Sequence, residues 1–415
     1  MPAASISNGH TGMLRNALPE DIDAYLSIIG MSLNTHASRL LTQKTIGKHL
    51  HVVEFWMPGP CNLRCKHCYV AEVPVQKSEP IAKSDYAKMT TEMVRYGLHD
   101  VVIPGMEPLL RDETWIVAEA AIAAGARSVG LTTNGVRMKQ VAQRLADVGL
   151  SVVNVSLDGP RDVHDYVRGV GVFDTMLQGV DAVRRKTDVT RLISNCTASR
   201  INLHLLPEVA HIAYNSGFNF ASFHPFERAA EIDNSIHVSA SEIVDGYESI
   251  RKIFENGKCG SVALEVEASS FDVILEMHRR GWFRDMDLVS DETGFLFYRL
   301  RCGEHILLVN LMGYPHHFIR TLRITDDGGF SSCRAMSQSF WGGVGGDIRT
   351  HSIAEMLASE ASLLTLDYIW QEFMDACARM PQGCVESFLS TIETVYSKYE
   401  KKSSLALCKD VHNAA

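Results

Sequence analysis

Cys61, Cys65 and Cys68 lie in the stretch Pro58-Gly59-Pro60-Cys61-Asn62-Leu63-Arg64-Cys65-Lys66-His67-Cys68-Tyr69, and no other residues of the chain are spaced so clearly for chemistry. A loop this tight, following the hydrophobic run over residues 51–57, can turn three thiolates toward one iron-sulfur cubane and leave its fourth iron without a protein ligand. Chemistry happens at that open iron. The alternative for three thiols is a structural zinc loop, but zinc wants a fourth ligand and usually a second pair at finger spacing. No such pair follows nearby, although His67 lies inside the loop.

The elements that would position this loop come in a strand and helix repeat. Asp100-Val101-Val102-Ile103 reads as a short buried strand running into Pro104-Gly105-Met106-Glu107-Pro108-Leu109. An Ala-rich helical stretch over 116–124 leads to Ser128-Val129-Gly130-Leu131-Thr132-Thr133-Asn134-Gly135, a strand ending in polar residues and glycine. Then come Ser151-Val152-Val153-Asn154-Val155-Ser156-Leu157-Asp158-Gly159-Pro160 and His164-Asp165-Tyr166-Val167-Arg168-Gly169. The repeat continues through Arg191-Leu192-Ile193-Ser194-Asn195-Cys196-Thr197, a helix over 206–216 and Phe218-Asn219-Phe220-Ala221-Ser222-Phe223-His224-Pro225. Active sites of β/α barrels gather at the carboxyl ends of the strands, which puts Asn195 and His224 near the expected site. Cys196 reads as a buried small hydrophobe.

The cysteine loop, the Gly-x-Glu-Pro turn and the SLDGP-x3-HDxxRG string together resemble the radical S-adenosylmethionine (SAM) superfamily, over roughly residues 50–400. The resemblance implies an α/β fold, a partial parallel (β/α)6 TIM-like barrel. In it Cys61, Cys65 and Cys68 hold a [4Fe-4S] cluster, and SAM chelates the open iron and is cleaved to a 5'-deoxyadenosyl radical. By the same resemblance the turn Gly105, Met106, Glu107 and Pro108 holds the amino group of SAM through its backbone and the Glu107 carboxylate. His67, Thr132, Asn134, Ser156, Arg168 and Asn195 complete the SAM site, with Ser156 and Arg168 at the carboxylate and ribose end. Met106 stands where the family usually has a second glycine. Read without the resemblance, Arg168 caps a helix or pairs with Asp162 or Asp165.

In the C-terminal part, Arg301-Cys302-Gly303 precedes an apolar strand over 306–311, and residues 322–334 read as a β-hairpin turning at Asp327-Gly328 with Cys333 beyond it. The hairpin resembles the opening of the SPASM and twitch auxiliary-cluster domains. That implies a small C-terminal α+β domain in which Cys302, Cys333, Cys377 and Cys384 ligate a second [4Fe-4S] cluster, with Cys408 as a substitute ligand. The spacing of the last pair departs from the familiar one, and scattered core cysteines are the other reading.

The chain has 415 residues, 46% of them hydrophobic, enough for one sizeable core and a second small one. The expected division is a helical extension over 1–50, a barrel over 51–258, an auxiliary-cluster domain over 259–400 and a tail over 401–415. The extension is helical in part, over 19–29 and 37–42, and is too short for a winged-helix peptide-recognition domain. Residues 342–346 read as a flexible connection. A formal net charge of −9 gives no footprint for nucleic acid. No stretch reads as a secretory signal or a membrane span, so a cytoplasmic location is expected, where ten cysteines suit metal ligation and packing better than disulfides.

The resulting expectation is a radical SAM oxidoreductase that abstracts hydrogen from a small sugar, aminocyclitol or nucleoside-like molecule in natural-product biosynthesis, by net oxidation or epimerisation. Its electrons would come from a donor such as flavodoxin or ferredoxin. Peptide or protein side-chain modification is the second class, and a non-catalytic zinc module the third. The catalytic base stays open, with His224 and Glu227 among the candidates.

Overall fold

The computed structural model describes residues 51–56, 60–68, 81–226, 234–258, 260, 262–290, 296–312, 321–325, 328–331 and 347–352, together with 355, 379, 381 and 383. The expected N-terminal helices, the connection at 342–346 and Glu227 lie outside these residues.

Seven strands run parallel in chain order: β1 (Val52–Trp56), β2 (Asp100–Ile103), β3 (Ser128–Thr133), β4 (Val152–Ser156), β5 (Arg191–Ala198), β6 (Phe220–Pro225) and β7 (Ala263–Glu267). Their crossovers carry α1 (Lys83–Tyr96), α2 (Asp112–Ala123), α3 (Met138–Val148), α4 (Arg161–Arg168), α5 (Val172–Arg184), α6 (Leu206–Asn215) and α7 (Ala240–Glu255). The period of two along β5 shows how the sequence sorts its faces. Leu192, Ser194, Cys196 and Ala198 are buried, while Ile193, Asn195 and Thr197 are only partly covered and belong to the face that carries the site. Cys196 is fully buried, as expected of a small core residue. At the start of α7, Ser239 and Glu242 close a capping box that satisfies two helix-end N–H groups. An α8 helix (Phe271–Arg279) follows β7.

The remaining strands are β8 (Asp287–Ser290), β9 (Leu296–Cys302), β10 (His305–Asn310), β11 (Thr321–Thr325) and β12 (Phe330–Ser331). All twelve form one sheet in the order β12-β11-β1-β2-β3-β4-β5-β6-β7-β10-β9-β8. The boundary at 258 does not divide the sheet, because β7 and β10 extend it in parallel beyond β6, and β11 pairs in parallel with β1. The physical reason is edge protection: a six-stranded open barrel leaves the backbone groups of β1 and β6 unpaired, and these later strands satisfy them. The expected hairpin is present as the antiparallel pair β11 and β12, with Gly328 at φ +83° beside its turn. Cys333, Cys377, Cys384 and Cys408 lie outside the described residues. Among the described residues no helix is long and apolar enough to cross a membrane.

Candidate active site

The carboxyl ends of β1–β6 and the cysteine loop enclose one cavity of about 310 Å³. The loop is pinned beneath it by backbone bonds, Lys66 N–H to the Val167 carbonyl at 2.9 Å and Cys68 N–H to the Cys65 carbonyl at 3.1 Å. Cys61, Cys65 and Cys68 are free thiols, and all three line the cavity with His67 between them. Burial raises the Cys61 thiol and pushes Cys65 up to about 11, so ligation of metal here releases protons. Donors stand ready for the resulting sulfur charge. Leu63 N–H is 3.4 Å from the Cys61 sulfur, Asn134 Nδ2 is 3.9 Å from the same atom, and Arg168 Nη1 is 3.9 Å from the Cys65 sulfur. Among the described residues no three side chains are arranged around a single ion. Three thiols on one cavity wall, with N–H donors beside the Cys61 and Cys65 sulfurs, fit the separate iron corners of a [4Fe-4S] cluster.

The strand ends opposite supply the rest of the expected set. Gly105, Met106, Thr132, Asn134, Ser156 and Asn195 line the cavity, as does Arg168. The Gly105 φ of +148° is one a side chain would strain, whereas no described non-glycine residue has a positive φ. Met106 therefore sits where the backbone does not require a glycine.

Glu107 is set back from the cavity surface. Its side chain is 1% exposed and does not line the cavity, and Pro108 is buried at the start of a short 3-10 turn. The carboxylate is occupied by three donors: Thr133 Oγ1 at 2.7 Å, Asn134 N–H at 2.8 Å and Leu109 N–H at 3.1 Å. These bonds tie the end of β2 to the end of β3, so Glu107 positions the cavity wall that carries Gly105 and Met106. Glu107→Gln turns one acceptor oxygen into a donor facing an N–H or O–H. We expect a stability loss of about 1–3 kcal/mol in urea unfolding, with weakened SAM binding as its consequence. Unchanged stability with lost SAM affinity would favour direct contact with SAM.

Arg168 pairs with neither Asp162 nor Asp165. Asp165 instead accepts the N–H groups of Gly171 and Phe173 at 2.8 and 2.9 Å. The partner of Arg168 is Asp158, fully buried, whose Oδ2 accepts Arg168 Nε at 2.5 Å and whose Oδ1 accepts Thr197 N–H at 3.0 Å. Burial alone would raise the Asp158 carboxyl, but the Arg168 guanidinium, then His67 and His164, outweigh it and hold the group well below the usual carboxylate range. Burial lowers both His67 and His164 to about 4, so both rings are neutral near pH 7. Arg168 Nη2 lies 3.4 Å from His67 Nε2. A fixed, charged Asp158 thus aims a guanidinium at the cysteine loop.

The cavity also has members that the sequence reading did not select. Glu54 and Trp56 of β1, Thr197 of β5 and Arg323 of β11 all line it. Thr197 Oγ1 is 3.0 Å from Nε2 of His224, which lines the cavity as expected. Asp158 lies inside the SLDGP string, and a carboxylate directly after a strand end was the available signal. Arg323 carried no local signal at all.

A sequence model described as the Radical SAM superfamily matches residues 59–198. The Fe-coproporphyrin III synthase of Methanosarcina barkeri is 34% identical over 131 residues, which are 31% of this chain and 33% of that protein. The pre-heme d1 synthase of Dinoroseobacter shibae is 31% identical over 159 residues, 38% of this chain and 39% of that protein. The chain thus spans well under half the length of these curated relatives. Among solved structures, SuiB of Streptococcus suis bound to precursor peptide SuiA superposes with a TM-score of 0.58 at 13% identity, covering 81% of this chain and 72% of that one. At that identity the likeness shows the fold alone.

Proposed function

We propose that this chain is a member of the radical SAM superfamily and that it is an enzyme abstracting hydrogen from a small organic molecule of the kind handled in cofactor biosynthesis. The observation that carries the reading is the convergence of Cys61, Cys65 and Cys68 with the polar ends of β2–β5 on one cavity. When bound, the [4Fe-4S] cluster supplies one electron for SAM cleavage, and hence the 5'-deoxyadenosyl radical that attacks a C–H bond. The chain's own work is to bind, orient and exclude water. Cys61, Cys65 and Cys68 hold the cluster. The backbone of Gly105 and Met106, with Thr132, Asn134, Ser156 and Asn195, holds SAM. Arg168, fixed by Asp158, presents positive charge beside Cys65 and His67.

The small-molecule class is supported by the printed activities of the relatives at 34% and 31% identity, which concern haem-type cofactors. They do not support the sugar and natural-product class expected from sequence. Peptide modification remains the second reading, as the sequence motifs allow. The reading includes an external one-electron donor, and an auxiliary cluster on Cys302, Cys333, Cys377 and Cys384. Cys302 is exposed and free at the end of β9, next to the turn into β10, where a ligand could be offered.

The test is anaerobic reconstitution followed by dithionite reduction with SAM. Release of 5'-deoxyadenosine and methionine is expected from a brown protein containing iron and sulfide. A colourless zinc protein that leaves SAM intact would overturn the proposal.

A further inference from the structure

We infer that Arg323, stacked on Trp56 and paired with Glu54, forms an anion subsite of the cavity that takes a carboxylate of the substrate. This rests on the small-molecule reading above and adds the charge of the molecule. Glu54 and Arg323 are direct neighbours across the β1 and β11 pairing. The Arg323 side chain is buried, yet it lines the cavity. Its Nε donates to Glu54 Oε2 at 3.0 Å, and its Nη2 lies 3.0 Å from that same oxygen. Trp56 Nε1 also donates to Glu54 Oε2, at 2.8 Å, and the guanidinium carbon sits 4.5 Å from the centre of the Trp56 ring.

A guanidinium carries five N–H donors in a rigid fork. Glu54 engages the Nε side with a single oxygen, and among the described residues Nη1 makes no hydrogen bond. An ion pair that served only to fasten β11 to β1 gains most from two parallel bonds to two oxygens. Here the carboxylate holds the fork from one side and the indole fixes its plane, which leaves the Nη1 end for a planar oxyanion entering from the cavity. Because Glu54 already offsets part of the positive charge, a singly charged carboxylate is a better match than a phosphate. The subsite lies on β1 and β11, apart from the strand ends β2–β5 assigned to SAM.

The experiment uses the full-length, anaerobically reconstituted enzyme with saturating SAM, and follows the indole N–H resonance of Trp56, assigned by its loss in Trp56→Phe. Glutarate, glutaramide and inorganic phosphate are the probes. Glutarate is expected to shift the resonance in a saturable way, glutaramide to leave it in place, and phosphate to bind more weakly than glutarate. Arg323→Gln should weaken glutarate by roughly tenfold or more, as loss of a charged hydrogen-bonding partner does. Glu54→Gln removes the competing charge while its amide oxygen can still accept from Arg323, and should tighten glutarate several-fold. That variant carries the test if Arg323→Gln does not fold, as circular dichroism will show. A purely structural pair predicts the opposite sign or no effect for Glu54→Gln, and that outcome overturns the inference. So do a silent wild type, equal affinity in Arg323→Gln, tighter phosphate, or glutarate binding only when SAM is omitted. Release of 5'-deoxyadenosine by the same wild-type sample is read separately, so failure of the radical chemistry and failure of the subsite are told apart.

Discussion

Replacing Cys61, Cys65 and Cys68 together by Ala is expected to abolish reductive SAM cleavage while leaving the sheet folded. The three side chains belong to a partly exposed loop outside the hydrophobic core, so their loss opens no cavity in it. Their loss removes every protein ligand of the proposed catalytic cluster at once. If Cys302, Cys333, Cys377 and Cys384 hold a second cubane, iron and sulfide analysis with Mössbauer spectra should show about eight irons falling to about four. A wild-type count near four with none left in the triple variant would remove the auxiliary cluster from the proposal. Persistent SAM cleavage in the reconstituted variant would remove the catalytic assignment itself.

The half of the molecule that carries the cavity was legible because its signals are local. A three-cysteine loop, a Gly-x-Glu-Pro turn and strands that end in Thr132, Asn134, Ser156 and Asn195 each sit within a dozen residues, and a parallel barrel brings strand ends together by construction. All three cysteines, Gly105 and Met106 of the turn, and Thr132, Asn134, Ser156 and Asn195 line one cavity. What sequence could not assign were jobs decided by orientation. Glu107 is picked out by its motif, but the three donors it accepts from are set by where β2 and β3 end, which the motif does not show. Asp165 and Asp158 are both within reach of Arg168 along the chain, and only the backbone path after β4 decides that Asp158 receives the guanidinium.

The sheet partners of the C-terminal strands were not legible for a different reason. β7, β10 and β11 have the alternation or apolar run of any strand, so periodicity finds them without telling which sheet they join. The partner of β11 is β1, and Arg323 meets Glu54 across 269 positions of chain. No window-based reading links such residues. The consequence reaches function, because the cavity wall at β1 is completed by a strand that sequence reasoning had given to another domain.

Asp158 is where the largest stability effect of a single substitution is expected. It is fully buried, accepts Arg168 Nε at 2.5 Å and Thr197 N–H at 3.0 Å, and its partner guanidinium is itself buried. Removing one member of such a pair strands the other charge in a dry site, which typically costs about 3–5 kcal/mol, whereas replacing both by apolar groups is far less costly. Asp158→Leu and Arg168→Met should therefore each destabilise strongly in urea unfolding of the apo-protein, and the double variant should fall well short of their sum.

The two single variants should part company on acidification, because the stranded groups differ in chemistry. In the wild type the Asp158 carboxyl is depressed, so its stabilisation is present above the unfolded-state pKa and is lost as pH falls through the folded one. In Arg168→Met the same buried carboxyl loses its counter-charge and its folded pKa rises, so that variant gains relative stability as pH falls and the carboxyl becomes neutral. Its deficit against wild type should shrink from pH 8 toward pH 5. No such relief is open to Asp158→Leu, since a guanidinium does not give up its proton in a protein. Additive single effects of under about 1 kcal/mol, the scale of an exposed ion pair, would show that Asp158 and Arg168 are solvated in solution and would remove the fixed guanidinium from the cluster site.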